Sequence, residues 1–587
     1  MNLQYHIRLQ ENAHLIQVDL HLAEPDPDGQ ILALPAWVPG SYTIRDLARH
    51  IVSMRATAGG RKLPVEKFRK DHWRLAPCNG PVTISYQVYA FDRSVRTAYL
   101  DDRGGFFNGP AVFLRVLGQE QQEHTLQISG PADWQLATSM EAISDSAWSW
   151  GEFRAPDYRS FCNHPLLFGP LHRVDFCAGE LPHHLALLGH DNPELLRLGE
   201  DLARICAYQQ QFWGGSPFSR YHFLCMCGQN AYGGLEHSAS SALLCNRSDL
   251  DGTDPKGYRQ FLGLASHEYF HSWLVQGIRP AAWSDSFWET EIISRDLWVF
   301  EGITSYYDSL LLCRAGLWSP AQYLEELGQE ITRLARRPGE SYQSLAESSA
   351  DAWTKLYHPH PSAANFEISY YNKGALAALC LDARLRQRGS SLDAFLRRLW
   401  QDYGERQRSL PEGEIFALLK PVLGNAGVDE VRQWVAEAQP LPLQECLQIL
   451  GVDLLWRAAR DEQDRGGVET EGRRSDLGAN WEKAAIGVEL TFVRAGGAAE
   501  QAGLCPGDRL LALDGEEILA ERLQSQIDRL TPGIPRHLHF LRDGRMRECD
   551  CILLIPPLDT AYLQIGDGGN QRCSDWLSGA SAAQSAG

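Results

Sequence analysis

Apolar and polar residues alternate along the first third of the chain. Tyr5-His6-Ile7-Arg8-Leu9, Leu15 to Leu22 and Val82 to Ala90 keep a period of two, the pattern of half-buried antiparallel strands. Pro25-Asp26-Pro27-Asp28-Gly29 and Gly59-Gly60 separate these runs as turns. Residues 1–175 are therefore predicted to form an N-terminal β-sandwich-like domain. Inside it, Trp37-Val38-Pro39-Gly40-Ser41-Tyr42 reads from its residues alone as a rigid, packed aromatic loop.

From residue 176 the pattern is mixed, then mostly helical to residue 460. Leu195 to Phe212 has helical spacing, whereas Tyr221 to Cys227 and Ala242 to Cys245 are strand-like. Between those strands lies Gly233-Gly234-Leu235-Glu236-His237, whose paired glycines permit close backbone approach before a carboxylate at a strand edge. Thr253-Asp254-Pro255 opens a helix, with proline suited to an early position. Further helices are predicted at Asp296–Cys313, Ala321–Leu334, Asn372–Arg388 and Ser391–Tyr403, the third stopping at Gly389 as a left-handed cap. Residues 461–484 are polar and charged and read as a linker, residues 485–560 as a β-rich domain, and 561–587 as a tail whose small, polar end is expected to be disordered. The fold class is multidomain α+β.

Composition narrows the function. With 74 acidic against 55 basic residues, the net charge of −19 would repel phosphates, which argues against a nucleic-acid partner. No run reaches the ~18 apolar residues of a membrane span. The N-terminus lacks the basic and apolar segments of a secretory signal. The 14 cysteines show no C-x-x-C spacing, so reduced thiols and a cytoplasmic location are expected.

The chemistry gathers at Ser266-His267-Glu268-Tyr269-Phe270-His271. Histidines four apart share one helical face, where a single metal ion can take both imidazoles. The adjacent glutamate is placed to remove a proton from the attacking water, the arrangement of H-E-x-x-H zinc hydrolases. A catalytic zinc keeps three protein ligands. Glu301, in the apolar and aromatic segment Leu297 to Tyr307, is the preferred third, because a buried carboxylate needs a charge partner. Its alternative is an ion pair with Arg295. Asp285, Glu289 and Asp296 are candidates to orient the histidines. Tyr370 and Tyr371, before Asn372-Lys373-Gly374, are both candidates to donate to an oxyanion.

His267-Glu268-x-x-His271, the segment Glu301-Gly302-Ile303-Thr304-Ser305-Tyr306-Tyr307 and a C-terminal PDZ-like module together resemble the glycyl aminopeptidase family, PDZ-containing zinc metallopeptidases of the gluzincin group. The resemblance covers nearly the whole chain. It implies a thermolysin-like catalytic domain with a helical lobe, and one zinc per chain held by His267, His271 and Glu301, with Glu268 as base. Gly233-Gly234-Leu235-Glu236 is similar to the glycine-rich exopeptidase motif of the related large aminopeptidases, which implies that Glu236 binds a substrate's free α-amino group. Tyr371-Asn372-Lys373-Gly374 is similar to the segment carrying their oxyanion-stabilising tyrosine, which favours Tyr371 over Tyr370. His237 departs from the asparagine usual there, and Gln276-Gly277 stands where more basic residues are expected. Ala502 to Leu510 resembles the PDZ turn after its first short helix, with a carboxylate-binding loop expected near Ala485-Ile486-Gly487-Val488.

The expected activity is zinc-dependent removal of small N-terminal residues, glycine and alanine, from peptides. A zinc endopeptidase that captures substrates through its PDZ-like domain, and a catalytically silent peptide-binding scaffold, are the competing readings.

Overall fold

The computed structural model describes residues 3–143, 148–283 and 287–580. The chain forms two compact units, Met1–Ile292 with Leu396–Pro411, and Ile293–Phe395 with Glu412–Gly587.

In the first unit the alternating runs become β1 (Leu3–Gln10), β2 (Leu15–Leu22), β3 (Val82–Tyr89) and β4 (His124–Ser129), adjacent in the order β4-β1-β2-β3 within an eight-stranded sheet. The period of two puts Tyr5, Ile7, Val18, Leu20, Ile84 and Tyr86 on the buried face. Tyr5 and Tyr86 donate their hydroxyls to the carbonyls of Leu114 and Val112 at 2.7 and 2.9 Å, and Tyr158 donates to Phe113 at 2.7 Å. Buried phenols thus satisfy an irregular segment that has no ladder of its own.

After two small four-stranded sheets, a five-stranded sheet follows, from β5 (His172–Ala178) and β6 (Leu181–Leu188), across helix α1 (Leu195–Trp213), to β7 (Tyr221–Gly228), β8 (Gly233–Glu236) and β9 (Ser240–Asn246). Its order is β5-β6-β7-β9-β8, with β6, β7 and β9 mutually parallel. All of β7 is buried, which explains its apolar sequence, broken only at His222. β8 lies at the sheet's edge, paired only with β9. Helix α2 (Pro255–Phe270) comes next.

The second unit begins with a π-helical turn, Trp298–Gly302, running into α3 (Ile303–Arg314), then α4 (Pro320–Ala335) and α5 (Asn372–Gln387). Gly389 has φ +74°, the left-handed stop read from sequence. Strand β10 (Val452–Arg457) leads to the PDZ-like sheet of β11 (Ala479–Lys483), β12 (Val488–Val493), β13 (Arg509–Leu513), β14 (Pro535–Arg542) and β15 (Arg545–Ile552), with helix α6 (Leu523–Ile527) between β13 and β14. The chain then returns as β16 (Thr560–Ile565) and α7 (Asn570–Ser578).

Two stretches differ from the sequence expectation. Residues 561–580, expected as a tail, hold most of β16 and all of α7. β16 pairs antiparallel with β10, so the PDZ-like sheet is an insertion between two partnered strands. α7 buries Cys573, Trp576 and Leu577, and the Trp576 indole donates to the Tyr306 hydroxyl at 2.8 Å. The end of the expected tail, 581–587, lies outside the described residues. Within the expected linker 461–484, part of the charge is buried in ion pairs while Arg465, Glu469, Glu471 and Arg474 stay exposed. Arg457 and Asp464 form a buried ion pair, and residues 479–483 are β11.

The turn at 484–487 also departs from its expected role. It joins β11 to β12, which pairs with β11 and, at Val488 and Glu489, with β13, so the sheet's two edges are β11 and β15. A peptide has no strand to extend directly after Ala485–Val488. Asn365 of the helical lobe clamps the end of β12, donating to Val493 O at 2.8 Å and accepting from Ala495 N at 2.9 Å. Among the described residues no helix is long and apolar enough to cross a membrane.

Candidate active site

The Asp254 carboxylate caps α2 by accepting from the amides of Lys256 and Gly257 at 3.0 and 2.9 Å, and Pro255 takes the first helical position. Tyr258, Phe261, Leu262, Ala265 and Tyr269 bury the helix against the sheet. This fixes the face that carries His267 and His271. The two Nε2 atoms lie 3.0 Å apart, with the rings edge to face. His271 is the C-cap, and its Nδ1 meets the Leu274 carbonyl at 3.0 Å. A carbonyl can only accept, so Nδ1 carries the proton and Nε2 keeps its lone pair. The turn that brings Leu274 O round includes Val275 at φ +115°, a conformation a β-branched residue rarely adopts.

Edge strand β8 approaches the same face. Glu236, Glu268 and His271 place ligand atoms within 4.8 Å of one another, and both carboxylates are buried. A Cβ on Gly234 would lie 2.0 Å from Glu268 Oε1. The carboxylate rests on bare backbone, and only glycine leaves room for it. Arg96 donates to Gly234 O at 3.2 Å and holds the strand from its other side. The loop Trp37–Tyr42, which the sequence showed only as packed, turns out to cover Glu236. Gly40 has φ +79°, and a Cβ there would lie 2.4 Å from Glu236 Oε2. Its anchors are Ala36 N to Trp288 O at 2.7 Å and the Trp37 indole to Thr290 O at 2.9 Å.

His237 points elsewhere. It meets Asn108 Nδ2 at 3.2 Å, and burial holds its pKa down at about 3, so it is neutral. A cavity of about 20 Å³ beside Glu236 is bounded by Val38, Pro39, Gln276 and Trp288. Glu289 does not orient the histidines, because it is paired with Arg115 and His72. Asp285 lies outside the described residues.

The second unit holds Glu301 and the tyrosines. Glu301 sits in the π-turn, 2% exposed. Such turns widen a helix locally and are frequent at functional sites. Beside it, a Cβ on Gly302 would lie 2.6 Å from Gly374 Cα, so the π-turn and the first turn of α5 touch backbone to backbone. Asn372 bonds the Glu330 carboxylate at 2.7 Å, and buried Lys373 bonds Gln439 O at 2.7 Å. These ties fix the preceding tyrosines. Tyr370 and Tyr371 stack, and the Tyr371 hydroxyl meets that of Tyr357 at 2.8 Å. Burial pushes the Tyr370 pKa well up, with Tyr357 and the Glu301 charge adding to it. Glu301 is therefore within electrostatic reach of Tyr370. Asp296, nearby in sequence, accepts from Gly413 N at 2.6 Å, and burial raises its pKa to about 6.

The N-terminal domain model of M61 peptidases matches residues 4–170, the M61 glycyl aminopeptidase model residues 260–377, and a PDZ domain model residues 491–531. A crystal structure of an aminopeptidase N family protein from Idiomarina loihiensis is 34% identical over 98% of this chain and 100% of that one, with a TM-score of 0.95. The chain belongs to the M61 glycyl aminopeptidase family. It is a metalloaminopeptidase. An M1 zinc metallopeptidase from Deinococcus radiodurans, solved with a Tyr-Ser-Ala substrate, is 16% identical over 75% of this chain and 94% of that one, with a TM-score of 0.48. A search of curated protein sequences returned no match.

Zinc is the metal this M61 membership implies. The histidine pair suits it, since two nitrogens ~2.05 Å from one tetrahedral ion lie about 3.3 Å apart, close to the 3.0 Å here. The tautomer set by Leu274 O presents the lone pair such an ion needs.

Proposed function

We propose that the enzyme removes small N-terminal residues, glycine and alanine first, from peptides with a free amine. The carrying observation is the meeting of Glu236, on an edge strand, with Glu268 and His271 at the end of α2. In this reading His267, His271 and Glu301 hold one zinc ion per chain. When bound, the metal supplies a Lewis acid and lowers the pKa of a coordinated water toward ~7.

The protein's own groups do the rest. A substrate's amino end lies at the edge strand β8, where Glu236 stands. Glu236 accepts from the substrate ammonium, a charge-assisted bond that an acylated or internal amine cannot make. Glu268, held against Gly234, takes a proton from the attacking water and passes it to the leaving amine. Tyr371 donates to the oxygen that gains negative charge. The preference for small residues rests on membership of a glycyl aminopeptidase family.

Cleavage of glycyl- and alanyl-anilides is compared with that of their N-acetyl forms. The reading expects hydrolysis of the free amines alone, with retained zinc and about 10²-fold lower kcat in Tyr371→Phe. Equal cleavage of blocked substrates would remove the role of Glu236 and favour the endopeptidase.

A further inference from the structure

A second set of metal-type donors lies in the five-stranded sheet, unused by the peptidase chemistry. Cys225 and Cys227 are two apart on β7, so their side chains leave the same face. β9 runs parallel beside it, with Cys245 opposite Cys227. The Sγ of Cys245 is 3.6 Å from that of Cys225 and 4.0 Å from that of Cys227, and all three sulfurs lie within 4.8 Å. All three are free thiols, exposed by 0, 3 and 1% for Cys225, Cys227 and Cys245.

Buried cysteines often act only as small apolar residues. Here the spacing says more. A metal–sulfur distance of ~2.3 Å places the sulfurs of a planar three-coordinate ion about 4.0 Å apart. The cluster therefore needs only small side-chain adjustments to close on a metal. Among the described residues no histidine or carboxylate joins the set. His190, on the turn beside Cys227, has both ring nitrogens engaged, by Arg247 O at 2.9 Å and Asn192 N at 3.0 Å. A structural zinc would need a fourth donor, and burial excludes the water that could stand in. Three soft sulfurs in a dry pocket instead suit a soft monovalent ion.

We propose that Cys225, Cys227 and Cys245 form a three-sulfur Cu(I) site, independent of the peptidase centre. Its way in is the carboxyl end of the parallel strands, where Cys227 and Cys245 each stand one residue before the strand ends. Gly189, at φ +83°, lets the following turn close over Cys227 O. Binding displaces thiol protons and leaves the ion's oxidation state unchanged.

The test uses the full-length, reduced protein under anaerobic conditions, titrated with Cu(I) held by bicinchoninate, with copper-edge X-ray absorption of the product. Expected are one copper per chain, unchanged stoichiometry in His267→Ala/His271→Ala, and at least a 100-fold loss of affinity in Cys227→Ser and in Cys245→Ser. The absorption spectrum should show three sulfur neighbours. Failure of the wild type to take copper from bicinchoninate overturns the proposal, as does equal uptake by the serine variants. If those variants do not fold, the wild-type spectrum decides alone, and fewer than three sulfurs refutes the site. Because the alanine variant lacks the histidine pair, the outcome is independent of the zinc assignment.

Discussion

Glu268 and Glu236 sit in one cluster with His271, yet the chain specifies them in opposite ways. Glu268 is set by helical periodicity: a capped start at Asp254, an apolar face, and two histidines four residues apart. The spacing of the histidines and the proton on His271, placed by the Leu274 carbonyl, are both set within residues 254–275. Glu236 takes its position from afar. Its strand is short and at an edge, its neighbour Gly234 is shaped by Glu268, and its cover is Gly40, in another domain of the same unit. In the proposed reading, local spacing thus encodes the metal pair and the base, whereas long-range backbone contacts encode which end of a substrate is recognised.

The most severe way to probe that contrast is Glu268→Gln. Losing a general base lowers rates by ~10²–10⁴-fold, and an expected loss near 10³ in kcat should come with unchanged metal content. A variant that also loses its metal would show that Glu268 is structural. Glu236→Gln should act differently. Loss of one charge-assisted bond, ~1.5–3 kcal/mol, corresponds to roughly 10–10²-fold in kcat/KM for free-amine substrates. Acetylated ones should not change. If both substrates fall together, the two carboxylates are not functionally separate.

The contrast also explains what the sequence could reveal. Strand alternation, the cap at Asp254-Pro255 and the stop at Gly389 are local, and the structure places them where the pattern does. The π-turn at Trp298–Gly302 was hidden because one added residue per turn barely alters apolar periodicity over a single turn. β16 was hidden because its partner, β10, lies across the whole PDZ-like insertion. The segment 461–484 looked like solvated charge because composition cannot distinguish an exposed aspartate from Asp464 buried against Arg457. In α7 the signal is local, with Cys573, Trp576 and Leu577 spaced for one helical face.

Acid should expose a further cost of building the first unit from buried polar residues. Burial lowers the pKa of His124 and His183 to about 4 and of His237 to about 3. Each stays neutral in the fold while the unfolded chain takes up a proton near pH 6.5. The unfolded state then binds more protons, so stability falls as pH drops from 6.5 toward 4, by about 2 kcal/mol per histidine at pH 5. Urea midpoints at pH 7.5 and 5 measure this. His237→Asn should narrow the gap by one histidine's share without changing the pH 7.5 value more than slightly. An unchanged gap would mean that His237 does not titrate with unfolding.

The finest test bears on Gly40 itself. Alanine there meets two obstacles: a left-handed φ of +79° and a Cβ 2.4 Å from Glu236 Oε2. The first costs about 1–2 kcal/mol of stability and would follow from any strained turn. The second is specific, because the loop must lift or the Glu236 carboxylate must rotate. If recognition of the amine resides in that contact, KM for glycyl substrates should rise about tenfold while kcat and metal content hold. The discrimination between free and acetylated substrates should shrink in step. A Gly40→Ala enzyme that loses stability yet keeps its KM would show that the loop only packs on Glu236. Substrate recognition would then be as local to β8 as the base is to α2.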